Sequence, residues 1–81
     1  MGQEYLVNAQ WDPEAEVYVA TSEDVPGLVT EAPDEKSLDA KLREMIPELL
    51  VLNGVLPKDH HSEIRYRVKF ERLGSIAPAV A

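Results

Sequence analysis

The chain has 81 residues, 15 acidic and 8 basic side chains, no cysteine and a net charge of −7. This length predicts a single domain whose own core is thin. The lack of cysteine excludes a disulfide framework and a cysteine-based zinc site, and the acidic charge disfavours general binding to nucleic-acid phosphates. No run approaches the roughly 18 apolar residues of a membrane span, and the first residues do not resemble a signal peptide, so we expect a cytoplasmic protein.

The acidic residues are concentrated in the first part of the chain. Residues 1–35 hold nine Asp or Glu and no Lys or Arg, whereas residues 36–81 hold six acids and all eight bases. Such an asymmetric distribution of charge creates a negative electrostatic potential, which favours encounter with a basic partner. It predicts a negatively charged end of a sheet, with these partner-binding acids: Asp12, Glu14, Glu16, Glu23, Asp24 and Glu31.

The first half of the chain predicts a three-stranded antiparallel meander. Residues 4–11 alternate between apolar and polar side chains, which is typical of a strand with one apolar face. Residues 12–15, Asp-Pro-Glu-Ala, predict a hairpin loop of four or five residues before a second strand at 17–22. Residues 25–28, Val-Pro-Gly-Leu, place Pro and Gly at the two central positions of a type II turn. A short third strand at 28–31 follows.

A helix is predicted over residues 34–52. Asp34 is its N-cap, and Asn53 with Gly54 is a typical stop signal. Pro47 lies inside this span, where it removes one backbone hydrogen bond. It should bend the helix without ending it, because the apolar stripe continues beyond it. That stripe has helical spacing and comprises Leu38, Leu42, Met45, Ile46, Leu49 and Leu50.

Residues 62–71 predict a fourth strand with one buried face and one solvated face. Its apolar face comprises Ile64, Tyr66, Val68 and Phe70. The order β-β-β-α-β predicts a single α+β domain over 1–73, followed by a flexible tail at 74–81. The crossover helix should return the last strand parallel to an earlier one. It should cover one face of the sheet and leave the other open to a partner.

Enzyme chemistry has weak support in these residues. Asp12, at the end of the first strand, is the one acid suitably placed for a metal-dependent nuclease, and the inward face of the fourth strand offers no second acid. The adjacent His60 and His61 do not have the usual spacing of zinc ligands. We therefore predict no catalytic residue, no metal and no cofactor, and we interpret the turn acids as solvated surface charge.

Half of all the basic residues lie on or next to the last strand: Arg65, Arg67, Lys69 and Arg72. A phosphate-binding stripe is one interpretation, but no aromatic side chain interleaves on that face for base stacking. The preferred interpretation is that this strand lies beside the acidic first strand and offsets its charge. The basic face of one copy against the acidic face of another is a further arrangement.

The run YVATSEDVPGLVTEAPDEKSLDAKLREMIPELL, residues 18–50, resembles the HicB family of small bacterial proteins. The resemblance is carried by the second and third strands, the Pro-Gly turn between them and the helix that follows at once. The hairpin at Trp11-Asp12 and the Ile-Pro-Glu-Leu run at 46–49 resemble a branch of stand-alone HicB-like proteins of unassigned role. The resemblance extends over residues 4–73.

The HicB resemblance implies a truncated RNase H-like fold without nuclease residues, and assembly into dimers or higher oligomers. HicB proteins are antitoxins that bind and mask HicA, a small basic mRNA-cleaving toxin with a double-stranded-RNA-binding-like fold. A HicA-type toxin is therefore the implied partner of the acidic half. Full HicB antitoxins add a C-terminal helix-turn-helix or ribbon-helix-helix for operator binding. Only about eight residues follow Leu73, so we expect no direct DNA binding by this chain.

Three functions from different classes remain open at this point. The leading hypothesis is a non-enzymatic HicB-like module that binds and neutralises a HicA-type toxin. The second is a residual RNA-binding or RNase H-like nuclease role, which predicts metal-dependent cleavage that Asp12→Ala abolishes. The third is a stand-alone homo-oligomer of unknown role that binds a small ligand.

Overall fold

The computed structural model describes residues 3–79. Its elements in chain order are β1 (Glu4–Asp12), β2 (Val17–Thr21), β3 (Val29–Ala32), α1 (Glu35–Leu52) and β4 (Arg65–Glu71). The strands form one sheet in the order β3-β2-β1-β4. β1 pairs with β2, and β2 with β3, in antiparallel fashion, whereas β4 runs parallel to β1. The predicted α+β domain with the order β-β-β-α-β is therefore confirmed, including the parallel return of the last strand.

The turn between β2 and β3 has the predicted type II form. Gly27 has a φ of 81°, the left-handed conformation that this position requires and that glycine adopts readily. The Leu28 amide donates to the Val25 carbonyl at 3.1 Å, which closes the turn. Because the Leu28 amide is used in this way, β3 begins one residue later than predicted, at Val29.

The pairing of β1 with its two neighbours determines the hairpin loop that follows β1 and the residue at which β4 begins. The hairpin loop at 13–16 has four residues, as predicted, and its last residue, Glu16, has a φ of 56°. β4 begins at Arg65, three residues later than the predicted start at Ser62. The reason is that its ladder with β1 begins at the pair Glu4–Arg65, so the residues before it have no strand beside them.

Helix α1 begins and ends where the sequence predicts. Asp34 is its N-cap, and the carboxylate Oδ1 accepts a hydrogen bond of 2.7 Å from the Ser37 amide. That bond lowers the pKa of the Asp34 carboxyl. The helix continues through Pro47 and is capped by Asn53, whose amide donates to the Leu49 carbonyl at 2.9 Å. Pro47 therefore does not end the helix, and the bend expected there stays a prediction.

The core lies between α1 and one face of the sheet, which we call the inner face. Residues opposite one another in a ladder share a face. The helix contributes a fully buried stripe with a spacing of four residues: Leu38, Leu42, Ile46 and Leu50. The sheet and its turn contribute the remaining buried side chains: Tyr5, Val7, Ala9, Ala20, Val25, Leu28 and Ala32. The predicted apolar face of β1 is therefore confirmed as the centre of the core.

The inner face of β4 is only partly buried, in contrast to the prediction. Tyr66 and Val68 are half-buried, and Phe70 is 38% exposed. β4 lies at the edge of the sheet, and the helix backbone approaches β3 and β2, away from this edge. Alternation in the sequence specifies which face points inward, but burial also requires an element that covers it.

After β4 the chain has no regular structure as far as residue 79, and every residue from 71 to 79 is exposed. Leu73 and Ile76 are 90% and 92% exposed. The last two residues of the predicted tail lie outside the described residues, and its flexibility stays a prediction. Within residues 3–79, no helix is long and apolar enough to cross a membrane.

Candidate functional site

The sheet has two ends that carry different loops. The hairpin end comprises the loop at 13–16, the junction between β3 and α1 at 33–34, and the residues that follow β4. The turn end comprises the loop at 22–28, the start of β1 and the start of β4. The two ends are separated by the length of β1, which is about 30 Å for a strand of nine residues.

The structure does not bring the six predicted partner-binding acids together. Three lie at the hairpin end: Asp12, Glu14 and Glu16. Two lie at the turn end: Glu23 and Asp24. Glu31 is exposed and lies on the outer face of β3, opposite Val19 in the ladder. The single negatively charged end expected from the sequence therefore becomes two separate acidic regions.

Two of the six acids form structural hydrogen bonds. Asp12 Oδ1 accepts from the amides of Glu14 at 3.0 Å and Ala15 at 3.3 Å, and this holds the hairpin loop. Asp24 Oδ2 accepts from the Leu6 amide at 2.8 Å and ties the turn to β1. The other four side chains form no hydrogen bond or ion pair with any residue in the described range 3–79: Glu14, Glu16, Glu23 and Glu31.

Basic residues of β4 lie beside the acidic start of β1. Arg67 donates to Glu4 through two hydrogen bonds, from Nε to Oε1 at 2.9 Å and from Nη2 to Oε2 at 3.1 Å. Arg65 Nη2 lies 3.7 Å from the same Oε2. The hydrogen bond and charge of Arg67 lower the pKa of Glu4. The predicted offset of acidic β1 by basic β4 is therefore confirmed for these two arginines, whereas Lys69 and Arg72 form no ion pair with the described residues.

A second polar group connects α1 to the edge strand β4. Asp39 accepts a hydrogen bond from the Tyr66 hydroxyl through Oδ1 and one of 2.8 Å from Arg43 Nε through Oδ2. The hydrogen bonds from Arg43 and Tyr66 lower the pKa of Asp39. Burial and the hydrogen bond to Asp39 raise the pKa of Tyr66. This group fixes the helix to a strand that the helix only partly covers.

Aromatic side chains form a row across the inner face at the hairpin end. Trp11 is opposite Tyr18 in the β1–β2 ladder, and their ring centroids are 4.9 Å apart in an edge-to-face arrangement. Tyr18 makes a similar contact with Phe70, at 5.1 Å. The guanidinium carbon of Arg72 lies 5.7 Å from the centroid of the Trp11 ring. Trp11 and Tyr18 are half-buried, so this row is accessible from solvent.

Half of this aromatic row is encoded locally in the sequence, although it was not among the predicted site residues. A four-residue loop after Asp12 places Asp12 opposite Val17, and hence Trp11 opposite Tyr18. The positions of Phe70 and Arg72 could not be found in this way, because they depend on which strand pairs with β4.

An open cleft of about 300 Å³ lies over this aromatic row. Trp11, Tyr18 and Arg72 line one part of it, and Pro33, Asp34 and Glu35 line the other. Asp34 is the N-cap of α1 and Glu35 lies in its first turn, and acidic side chains at this end are stabilised by the helix dipole. The cleft therefore combines an aromatic wall with an acidic rim.

Metal-dependent chemistry gains no support from the geometry of the predicted residues. Asp12 Oδ1 is engaged by two loop amides. His61 Nδ1 lies 3.0 Å from the Asp59 carbonyl, and His60 Nε2 is buried without a hydrogen-bond partner in the described structure. Among residues 3–79 there is no group of three or more His, Asp or Glu side chains that could hold a metal ion.

Comparison with known proteins identifies the family. The family model described as a domain of unknown function, DUF1902, matches residues 4–74. The chain belongs to the DUF1902 family. Among solved structures it is similar to the hypothetical protein TTHA1013 of the extremely thermophilic bacterium Thermus thermophilus, with 43% identity and a TM-score of 0.68. That match covers 93% of this chain and 99% of the other. No curated protein matches the chain.

The DUF1902 match includes every strand, the helix and all the residues that line the cleft over Trp11. Its last residue is Gly74, so Arg72 lies inside the family domain and the exposed Ile76 lies beyond it. The cleft at the hairpin end is thus formed entirely within the DUF1902 domain.

Proposed function

We propose that this DUF1902 protein is a non-enzymatic, cytoplasmic module that binds a small basic protein, and that this partner is a HicA-type mRNA-cleaving toxin which it neutralises as HicB antitoxins do. The toxin assignment is supported by the resemblance of residues 18–50 to the HicB family and by the truncated sheet with one crossover helix. Assembly into a dimer or higher oligomer is part of the proposal, because a chain of this size has a thin core of its own.

The observation that carries the proposal is the surplus of unpaired acids. Of the 15 acidic residues, all of which lie within residues 3–79, only Glu4 and Asp39 form ion pairs there. A surface of unpaired carboxylates attracts a basic protein and raises its association rate. At the hairpin end two of these acids, Asp34 and Glu35, line a cleft with the half-buried Trp11 and Tyr18, and half-buried aromatic side chains are common in protein interfaces.

The direct test is complex formation between the full chain and a small basic protein encoded beside it. Co-purification and calorimetry should detect a complex whose affinity falls as salt is raised, because exposed charges are screened. If the chain binds no small basic protein of this kind, the proposal is overturned.

A pair of charge-matched variants locates the binding surface. Glu14→Gln with Glu16→Gln removes two charges at the hairpin end, and Glu44→Gln with Glu48→Gln removes two exposed charges from α1. The first pair should weaken the complex about threefold to tenfold, since each exposed pair contributes only a few tenths to one kcal/mol. The helix pair should have a smaller effect. Equal losses from both pairs would show that only net charge matters.

A further inference from the structure

The cleft over Trp11 already holds a cation that belongs to the chain itself. The Arg72 guanidinium carbon lies 5.7 Å from the centroid of the Trp11 ring, within the range of a cation–π contact. Trp11 also makes an edge-to-face contact with Tyr18. The aromatic wall is therefore fixed by two paired strands, whereas the cation comes from the first residue after β4.

The contact between Arg72 and Trp11 is easily displaced. Arg72 is exposed, and it forms no hydrogen bond or ion pair with the residues that the structure describes. It is followed by residues 73–79, which have no regular structure and are exposed. A cation–π contact at an exposed site is weak, so this side chain leaves the ring at little cost.

The acidic rim of the cleft is not neutralised by Arg72. Asp34 uses Oδ1 to cap the helix, which leaves Oδ2 available, and Glu35 has no ion pair within residues 3–79. Both carboxylates also offset the positive end of the α1 dipole that lies beneath them. The cleft therefore has the face of an indole ring on one part of its wall and, on the other, two carboxylates without an ion pair among the described residues.

We propose that the cleft formed by Trp11, Tyr18, Asp34 and Glu35 is a receptor for one arginine side chain of a basic protein partner, and that Arg72 occupies it until that partner displaces it. This inference rests on the proposed function, because it specifies how the basic partner is recognised. Arg72 thus acts as an internal competitor.

The chemistry of the cleft selects a guanidinium over an ammonium group. A guanidinium is planar and weakly hydrated, stacks on an aromatic face and donates several N–H groups along its edge to a carboxylate. The ammonium of lysine is compact and strongly hydrated, and it stacks less well. The cleft offers an indole face and carboxylates at its rim, which are the partners that a guanidinium uses at the same time.

Trp11 is the only tryptophan of the chain, so its fluorescence reports directly on the cleft. The probe is octa-arginine, titrated into the full-length protein, with octa-lysine and octa-citrulline for comparison. Octa-arginine should change the Trp11 emission and bind more tightly than octa-lysine, and octa-citrulline should not bind. Equal affinity for the arginine and lysine peptides, or binding without any change in Trp11 emission, would overturn the proposal.

The competitor role of Arg72 is tested with two variants of equal charge change. Arg72→Gln should bind octa-arginine about twofold to fivefold more tightly than Lys69→Gln does, because a cation–π contact of this size no longer competes. Lys69 is exposed on the opposite face of the sheet and forms no ion pair among residues 3–79. Equal gains in the two variants would overturn the competitor role, because only the loss of a positive charge would then act.

Trp11→Leu separates this inference from the proposed function. The variant keeps an apolar side chain at this position but removes the aromatic face, and circular dichroism checks that it is folded. If its complex with the basic protein partner forms with unchanged affinity, the receptor is overturned and the proposed function stands. If octa-arginine binds at Trp11 with the expected selectivity while no basic protein forms a complex, the guanidinium receptor stands and the proposed function fails.

Discussion

The sheet has two sides, β1 to β3 on one and the edge strand β4 on the other, and they differ in how far the helix covers them. β1 and β4 nevertheless have the same alternating sequence pattern. On β1 and β2 four inward residues, Tyr5, Val7, Ala9 and Ala20, are at most 6% exposed, and only the pair at the hairpin end, Trp11 and Tyr18, is half-buried. On β4, Tyr66 and Val68 are half-buried and Phe70 is 38% exposed. The helix lies nearest β3 and β2, so the β4 side is held by its ladder with β1, by partial burial and by side-chain contacts such as Tyr66 with Asp39 and Arg67 with Glu4. Hydrophobic packing therefore stabilises one side, and polar contacts are more important on the other.

The largest expected effect is the loss of stability when a buried side chain is truncated to alanine. Ile46→Ala removes a side chain that is 1% exposed, and should lower the free energy of unfolding by about 2–5 kcal/mol. Val68→Ala on β4 should cost only about 1 kcal/mol, because Val68 is half-buried and leaves less of a cavity. Urea unfolding followed by circular dichroism measures both. A loss at Val68 as large as that at Ile46 would contradict the division into two sides.

A smaller effect tests the contact that joins the helix to β4. Tyr66→Phe removes the hydroxyl that donates to Asp39, and should lower the free energy of unfolding by about 0.5–1.5 kcal/mol. Tyr5→Phe is the matched control, because the Tyr5 hydroxyl forms no hydrogen bond with the described residues. Because no hydrogen bond is lost, it should lower stability less than Tyr66→Phe does. Equal effects of the two substitutions would show that this link does not support β4.

The smallest expected effect is the decline in the free energy of unfolding at acidic pH. Glu4 and Asp39 have pKa values lowered by their arginine partners and, for Asp39, by Tyr66. A lowered folded-state pKa stabilises the protein above the unfolded value of about 4, and this contribution is lost as the pH falls through the folded pKa. Both groups bond to side chains of β4, so acid should weaken the attachment of the β4 side.

The measurement is the free energy of unfolding as a function of pH in the wild type and in two variants. Glu4→Gln and Asp39→Asn should each make the decline below about pH 4 shallower, because one linked carboxyl no longer titrates. Glu44→Gln changes an exposed acid without an ion pair within residues 3–79, and should leave the decline unchanged. If all three variants decline alike, the β4 contacts are not the groups that acid titrates.

Local signals in the sequence were sufficient for most of the fold. The Pro-Gly turn at 25–28 and the cap at Asp34 were found because their chemistry is confined to neighbouring residues. The start of β4 and the exposure of Phe70 were not found, because they depend on where β1 and α1 lie in space. The candidate site is a case of the same kind. Trp11 and Tyr18 follow from the hairpin loop, whereas Arg72 reaches them only through the β1–β4 ladder.

The parallel ladder between β1 and β4 also determines the order in which the chain can fold. Its partners are far apart in sequence, since Glu4 pairs with Arg65, 61 positions later in the chain. Closing a long loop costs more entropy than forming the adjacent hairpin, so β1, β2 and β3 can pair before β4 joins them. During synthesis, one side of β1 therefore stays unpaired until the last strand has been made. The period of greatest risk for association with other unfinished chains ends when β4 covers that side.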